Sequence, residues 1–112
     1  MFREFIETKL FQRLLEQLKD ENLEKMIKEE ILKNPKDGVV ISGSGGVRKI
    51  RIKKVDRGKS GSYRVLYLDL ANANIVYLLF IYEKGSLGNI SDEQKRRIRK
   101  ISEDIKNEYK KK

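Results

Sequence analysis

The sequence predicts an α+β fold in which an antiparallel sheet is flanked by an N-terminal helical hairpin and a C-terminal helix. Three observations carry this. Apolar residues recur at helical spacing through residues 9–33, three apolar-rich runs between residues 47 and 82 have the character of strands, and residues 91–109 form a final amphipathic stretch. The length of 112 residues fits one domain, residues 1–112, with a single modest core.

Phe2 to Ile6 alternates loosely, as an opening strand does. Thr8 can cap the helix that follows, because its hydroxyl can accept a bond from an orphan amide of the first turn. Phe11, Leu14, Leu15 and Leu18 mark that helix's apolar face. Asp20 to Asn22 interrupts it, and Leu23, Met26, Ile27 and Ile31 resume it on a second helix. Pro35 disfavours a helical residue before it, so this helix stops near Asn34. Residues 37–46 hold four of the eight glycines and read as a turn or loose connection. They are not a phosphate loop, since no Lys-Ser/Thr ending and no helix follow.

The first central strand is expected over Val47 to Val55. Val47, Lys49, Arg51 and Lys53 lie on one face, and Arg48, Ile50 and Ile52 on the other. The second covers Tyr63 to Leu70 and the third Ile75 to Tyr82, joined by the hairpin connection Ala71 to Asn74. Both are apolar on both faces and so belong mid-sheet, covered from two sides. Ser91 with Gln94 fits a capping box, and Asp92 and Glu93 suit the positive end of a helix dipole. Ile98, Ile101, Ile105 and Tyr109 form the expected apolar stripe of this last helix.

Composition narrows the function. There is no cysteine, which excludes disulfides and thiol catalysis, and no histidine, the commonest general base and metal ligand. No apolar run reaches membrane-spanning length and the N-terminus lacks a signal-peptide pattern, so a soluble cytoplasmic protein is expected. The net charge is +9, and it is uneven. Residues 47–67 carry eight basic side chains and one acidic, while residues 1–34 carry seven basic and eight acidic. The last 18 residues hold nine basic and three acidic. Two blocks of positive charge point to a polyanion, most simply nucleic acid.

The segment Arg57-Gly58-Lys59-Ser60-Gly61-Ser62-Tyr63-Arg64 sets three cations and two glycines between strands. Glycines let backbone amides approach a phosphate, and the planar fork of Arg64 matches phosphate oxygens. The third strand ends in Tyr82-Glu83-Lys84. If the strands are neighbours, Lys59, Arg64, Tyr82 and Lys84 converge. Such a set can cleave RNA without a nucleophile, metal or cofactor of its own, because the substrate's 2′-hydroxyl attacks. Cations stabilise the charged phosphorane-like state and depress a nearby lysine's pKa, making neutral lysine a base; tyrosine can act as base or stack on a nucleotide. Arg48, Lys49, Arg51, Lys53, Lys54 and Arg57 are the candidate RNA-binding cations.

These residues also carry a resemblance. Asn34-Pro35-Lys36 and the run Gly43 to Arg51 resemble the N-P-K and G-x-G-G-(L/V)-R-K-x-R pattern of HigB-like toxins, a subgroup of the RelE/ParE superfamily. Arg57 to Tyr67 is similar to their G-K-x-G-x-x-R segment, Tyr77 to Lys84 to their Y-L-L-x-I-Y-x-K, and Ile90 to Lys95 to the start of their last helix. The similarity runs in order along nearly the whole chain. It implies a RelE-like fold and a toxin of a type II toxin–antitoxin module. The implied activity is a metal-independent endonuclease that cuts mRNA on the ribosome, in the decoding site, leaving a 2′,3′-cyclic phosphate and a 5′-hydroxyl. It further implies neutralisation by a helix-turn-helix antitoxin of the HigA kind, and active-site roles for Lys59, Arg64, Tyr82 and Lys84. Ser86 stands where the family usually has an acidic residue. Free chains are expected to be monomeric. The competing readings are a ParE-like poison of DNA gyrase and a non-catalytic nucleic-acid-binding regulatory module.

RNA binding through these cations releases condensed counterions. Affinity is therefore expected to fall on the order of a hundredfold between about 50 and 200 mM salt for roughly four phosphate contacts. Filter binding across that range checks it, and a flat response counts against a nucleic-acid partner.

Overall fold

The computed structural model describes residues 2–54, 61–85 and 90–110. In chain order the elements are β1 (Glu4–Glu7), α1 (Lys9–Leu18), α2 (Leu23–Lys33), β2 (Val39–Val40), β3 (Arg48–Lys53), β4 (Ser62–Leu70), β5 (Ile75–Glu83) and α3 (Asp92–Lys110). The strands form one sheet in the order β1-β5-β4-β3-β2. The α+β architecture expected from the sequence is present.

Local chemistry explains the boundaries. The Thr8 hydroxyl accepts from Phe11 N at 3.1 Å and donates to the Leu79 carbonyl at 3.3 Å, so one side chain both starts α1 and ties it to β5. Lys19, left-handed at φ 51°, ends α1. After α2, the Asn34 side chain accepts from Lys36 N at 3.1 Å and turns the chain around Pro35. The capping box is formed: Ser91 N donates to Gln94 Oε1 at 2.9 Å, and Gln94 N to Ser91 Oγ at 3.1 Å.

Two apolar layers sandwich β4 and β5. On one side Phe11, Leu23, Ile27 and Ile31 of the helical hairpin pack on Ile50, Ile52, Val65, Tyr67, Val76 and Leu78. On the other, Val47, Leu66, Leu68 and Leu79 meet Ile98 and Ile105 of α3. Side chains alternate between the layers along β4, Tyr63, Val65 and Tyr67 to the hairpin, Leu66 and Leu68 to α3.

Three features depart from the sequence reading. The sheet is mixed rather than wholly antiparallel: β3, β4 and β5 are antiparallel neighbours, but β1 runs parallel to β5, with Glu4 opposite Ile75. Parallel pairing requires a long crossover, and everything from α1 to β4 supplies it. The short edge strand β2, within the glycine-rich connection, was not foreseen; Val39 pairs with Lys49 and Val40 with Arg48. Finally, Ile101 is 44% exposed, whereas Ser102 is buried. The stripe that meets the sheet is Ile98, Ser102, Ile105 and Tyr109. The Ser102 hydroxyl donates to the Gly45 carbonyl at 2.7 Å, and Tyr109 meets the Tyr77 hydroxyl at 3.1 Å. A Cβ on Gly45, at φ +77°, would stand 3.1 Å from the Ser102 hydroxyl. The approach is too close for a bulky apolar residue at position 102.

Tyr67 locks the turn after α2 to the sheet. Fully buried, it donates to the Pro35 carbonyl at 2.8 Å and accepts from Gly38 N at 3.1 Å. Tyr67→Phe leaves both backbone groups unpaired in the interior and is expected to cost about 1–3 kcal/mol. Urea denaturation measures this, and an unchanged midpoint refutes the lock.

Candidate functional site

Strand register assembles the site. Arg64, in the first half of β4, is opposite Arg51 on β3 and opposite Tyr82 on β5. The apolar layer under α3 reaches Leu66, Phe80 and Tyr82. Alternation puts Arg64 next to Leu66 on that same face, at the margin of this layer. Lys49, Arg51 and Lys53 share the face, because Ile50 and Ile52 between them turn into the hairpin layer. The result is a cross-strand row, Arg51–Arg64–Tyr82, flanked along β3 by Lys49 and Lys53.

Like charges directly opposite each other destabilise a sheet, so an arginine pair across β3 and β4 is a feature that an anion offsets. Arg64 is half-buried and hydrogen-bonds the hydroxyl of buried Ser62, which aims its guanidinium along the strand. Tyr82 is half-buried beside Phe80, ring centroids 5.9 Å apart. Burial pushes the Tyr82 phenol above its ordinary range and the Arg64 charge pulls it partly back, so the hydroxyl is protonated at neutral pH. Lys84 is exposed just beyond β5, and its amide bonds the Ser62 carbonyl at 3.0 Å. Arg64, Tyr82 and Lys84 thus gather at one end of the sheet. Lys59, Arg57 and Ser86 lie outside the described residues.

Two of the RNA-binding candidates serve the fold. Arg48 donates to the carbonyls of Lys36 and Gly38 at 2.9 and 2.8 Å and holds the turn before β2. Lys54 pairs with Glu83 and lies 5.0 Å from the centre of the Tyr63 ring, while the Tyr63 hydroxyl reaches Asp20 at 3.3 Å. Lys54 N also donates to the Gly61 carbonyl at 3.2 Å, joining the two described residues that flank positions 55–60. Sequence reasoning missed Glu83 in this role. Its signal was the alternation Tyr82-Glu83-Lys84, which sets an acid on the face opposite Tyr82. Among the described residues no group of three or more acidic side chains is placed to hold a metal ion, and no helix is long and apolar enough to cross a membrane.

A mixed five-stranded sheet with a helical hairpin on one face and α3 on the other, the cationic row lying on the face of α3, defines a small basic α+β protein. The family model described as the RelE toxin of the RelE/RelB toxin–antitoxin system matches residues 3–112. The chain belongs to the RelE toxin family. Toxins of this family are generally ribonucleases, and membership implies an antitoxin partner and action at the ribosome.

Burial is also the leading cause raising Tyr63, Tyr67 and Tyr77. A folded-state pKa above the unfolded value of about 10 gives stability that is whole below that pH and lost as pH rises through the folded values. The protein is therefore expected to hold its melting temperature up to about pH 10 and lose it above, as tyrosinate absorbance appears. Parallel absorbance and thermal scans test this; tyrosinate forming below pH 10 without loss of stability contradicts it.

Proposed function

We propose that this chain is the toxin of a type II module of the HigB-like subgroup, a ribosome-dependent mRNA endonuclease neutralised by a helix-turn-helix antitoxin of the HigA kind. On this reading residues 1–112 act as one toxin domain in the cytoplasm, monomeric when free. The observation that carries the reading is the Arg51–Arg64–Tyr82 row across three adjacent strands. Rigid strands hold charge in place, which is what stabilising a pentacoordinate phosphate requires.

The chemistry needs no protein nucleophile. The 2′-hydroxyl gives its proton to a base, the O2′–P bond forms, the P–O5′ bond breaks, and O5′ takes up a proton. Arg64 holds the non-bridging oxygens with its fork. Tyr82, half-buried and with its phenol pKa raised further by burial, stays protonated at neutral pH and suits donation to the leaving O5′. Lys84 and Lys59 are the candidate bases and charge neutralisers. Lys49, Arg51 and Lys53 bind the flanking phosphates, with Arg57 a further candidate, whereas Arg48 and Lys54 are engaged in the fold.

Arg64→Ala is expected to abolish growth arrest while the protein folds and still binds its antitoxin, with a rate loss on the order of 10²–10³. Arg64→Lys recovers little, since a point charge does not replace a fork. Lys100, exposed and paired with Asp104 on α3, is the control whose alanine variant stays toxic. Growth assays with circular dichroism decide. Folded Arg64→Ala that arrests growth like the parent sinks the assignment, and loss of DNA supercoiling in arrested cells turns the reading toward gyrase poisoning.

A further inference from the structure

Next to the cationic row lies a concavity of about 320 Å³, walled by Val39, Val40 and Ile41 of the β2 segment, by Tyr82, and by Ile90 before α3. Lys49 and Lys95 complete its lining. We propose that it seats the base of one nucleotide flanking the phosphate held at Arg64. The inference rests on the RNA-cleavage reading and names where the substrate's base goes.

Position is the first argument. Lys49 is two residues from Arg51 on the same strand face, and Tyr82 is the residue opposite Arg64, so the concavity borders the row at Tyr82 and at the flanking Lys49. A strand of RNA whose phosphate lies on Arg64 has a neighbouring base within reach of this hollow.

Chemistry is the second. Val39 is 69% exposed and Val40 49%, large aliphatic side chains left in water on a two-residue edge strand. Val39 pairs with Lys49, which places it on the face of the row. A base offers flat apolar faces to such walls and to the Tyr82 ring, and polar edges to lysine ammonium groups. The two lysines suit the sugar–phosphate on either side of the base.

Charge is the third argument: the charged side chains lining the concavity are the lysines Lys49 and Lys95, which suit an anionic ligand. Among the described residues no carboxylate lines this concavity, whereas the two hollows beside α2 mix the cations Lys33, Lys49, Arg51, Lys53 and Arg64 with Glu29, Glu30 or Asp37. The apolar groove under α3, with Leu10, Leu79 and Ile101, has Arg97 as its one cation among the described residues and is less suited to a nucleotide.

The test fills the seat. Val39→Trp alters an exposed side chain outside the row, and Val39→Ala shortens it; circular dichroism confirms folding of both. Parent and variants are added to a translating reconstituted system, and cut ends are mapped on messages with each base at the positions beside the cut. Val39→Trp is expected to lose roughly tenfold or more in cleavage rate, the scale of one base stack, and to lose more at purines than at pyrimidines. Val39→Ala should lose less. An unchanged rate, or a loss equal for all four bases, overturns the base seat. Unchanged cleavage combined with escape from the antitoxin also overturns it and assigns the hollow to the protein partner. A parent that cuts no message in this system overturns the cleavage reading and this inference together; a parent that cuts while Val39→Trp cuts identically overturns the inference alone.

Discussion

Everything in the molecule is referred to the pairing of β4 with β5. The two strands run antiparallel from Tyr63 opposite Glu83 to Leu70 opposite Ile75, with one irregularity at Leu66 and Tyr67. Both are covered on two faces, so their backbone groups have no water to turn to and must bond each other. That constraint makes the pair rigid. The helical hairpin, β1, β3 and α3 each dock against it, and the candidate catalytic side chains stand on it or at its end.

A few polar links add to the apolar packing of the peripheral parts. Thr8 fastens α1 to β5, Tyr67 and Arg48 fasten the turn after α2, and the Gly45 carbonyl takes bonds from Ser102 and Lys106 of α3. α3 is long and strongly charged, and Ser102 is its one buried residue. Its attachment depends on a narrow apolar seam and a glycine that permits close approach. The Arg3–Asp69 pair at 2.8 Å, with both side chains nearly buried, does similar service for the N-terminal strand against β4.

The site shows a different economy. Arg51 faces Arg64 across β3 and β4, two lysines share their face, and exposed valines border them. None of this favours the isolated fold: like charges repel and aliphatic groups stay wet. A phosphate chain relieves the first and a base the second. Glu83 and Lys54, by contrast, neutralise each other at the opposite face of the same sheet end.

The sequence by itself determined the elements and the chemical types at the site. Local rules suffice for these: Thr8 and Ser91 capped their helices as their side chains dictate, Pro35 ended α2, and period-2 alternation separated Lys49, Arg51 and Lys53 from Ile50 and Ile52. It also made Arg64, Tyr82 and Lys84 candidates, through their motif positions. The hairpin at Ala71 to Asn74 already paired β4 with β5; only the tertiary structure decided that β1 joins β5 in parallel, that β2 forms an edge, and that Ser102 rather than Ile101 meets the sheet. Only it showed Arg48 and Lys54 engaged in the fold. The reason is physical. Helix and strand character follows from residues a few places apart, whereas pairing order and side-chain partners depend on contacts between residues such as Arg3 and Asp69, 66 positions apart, whose meeting no local pattern encodes.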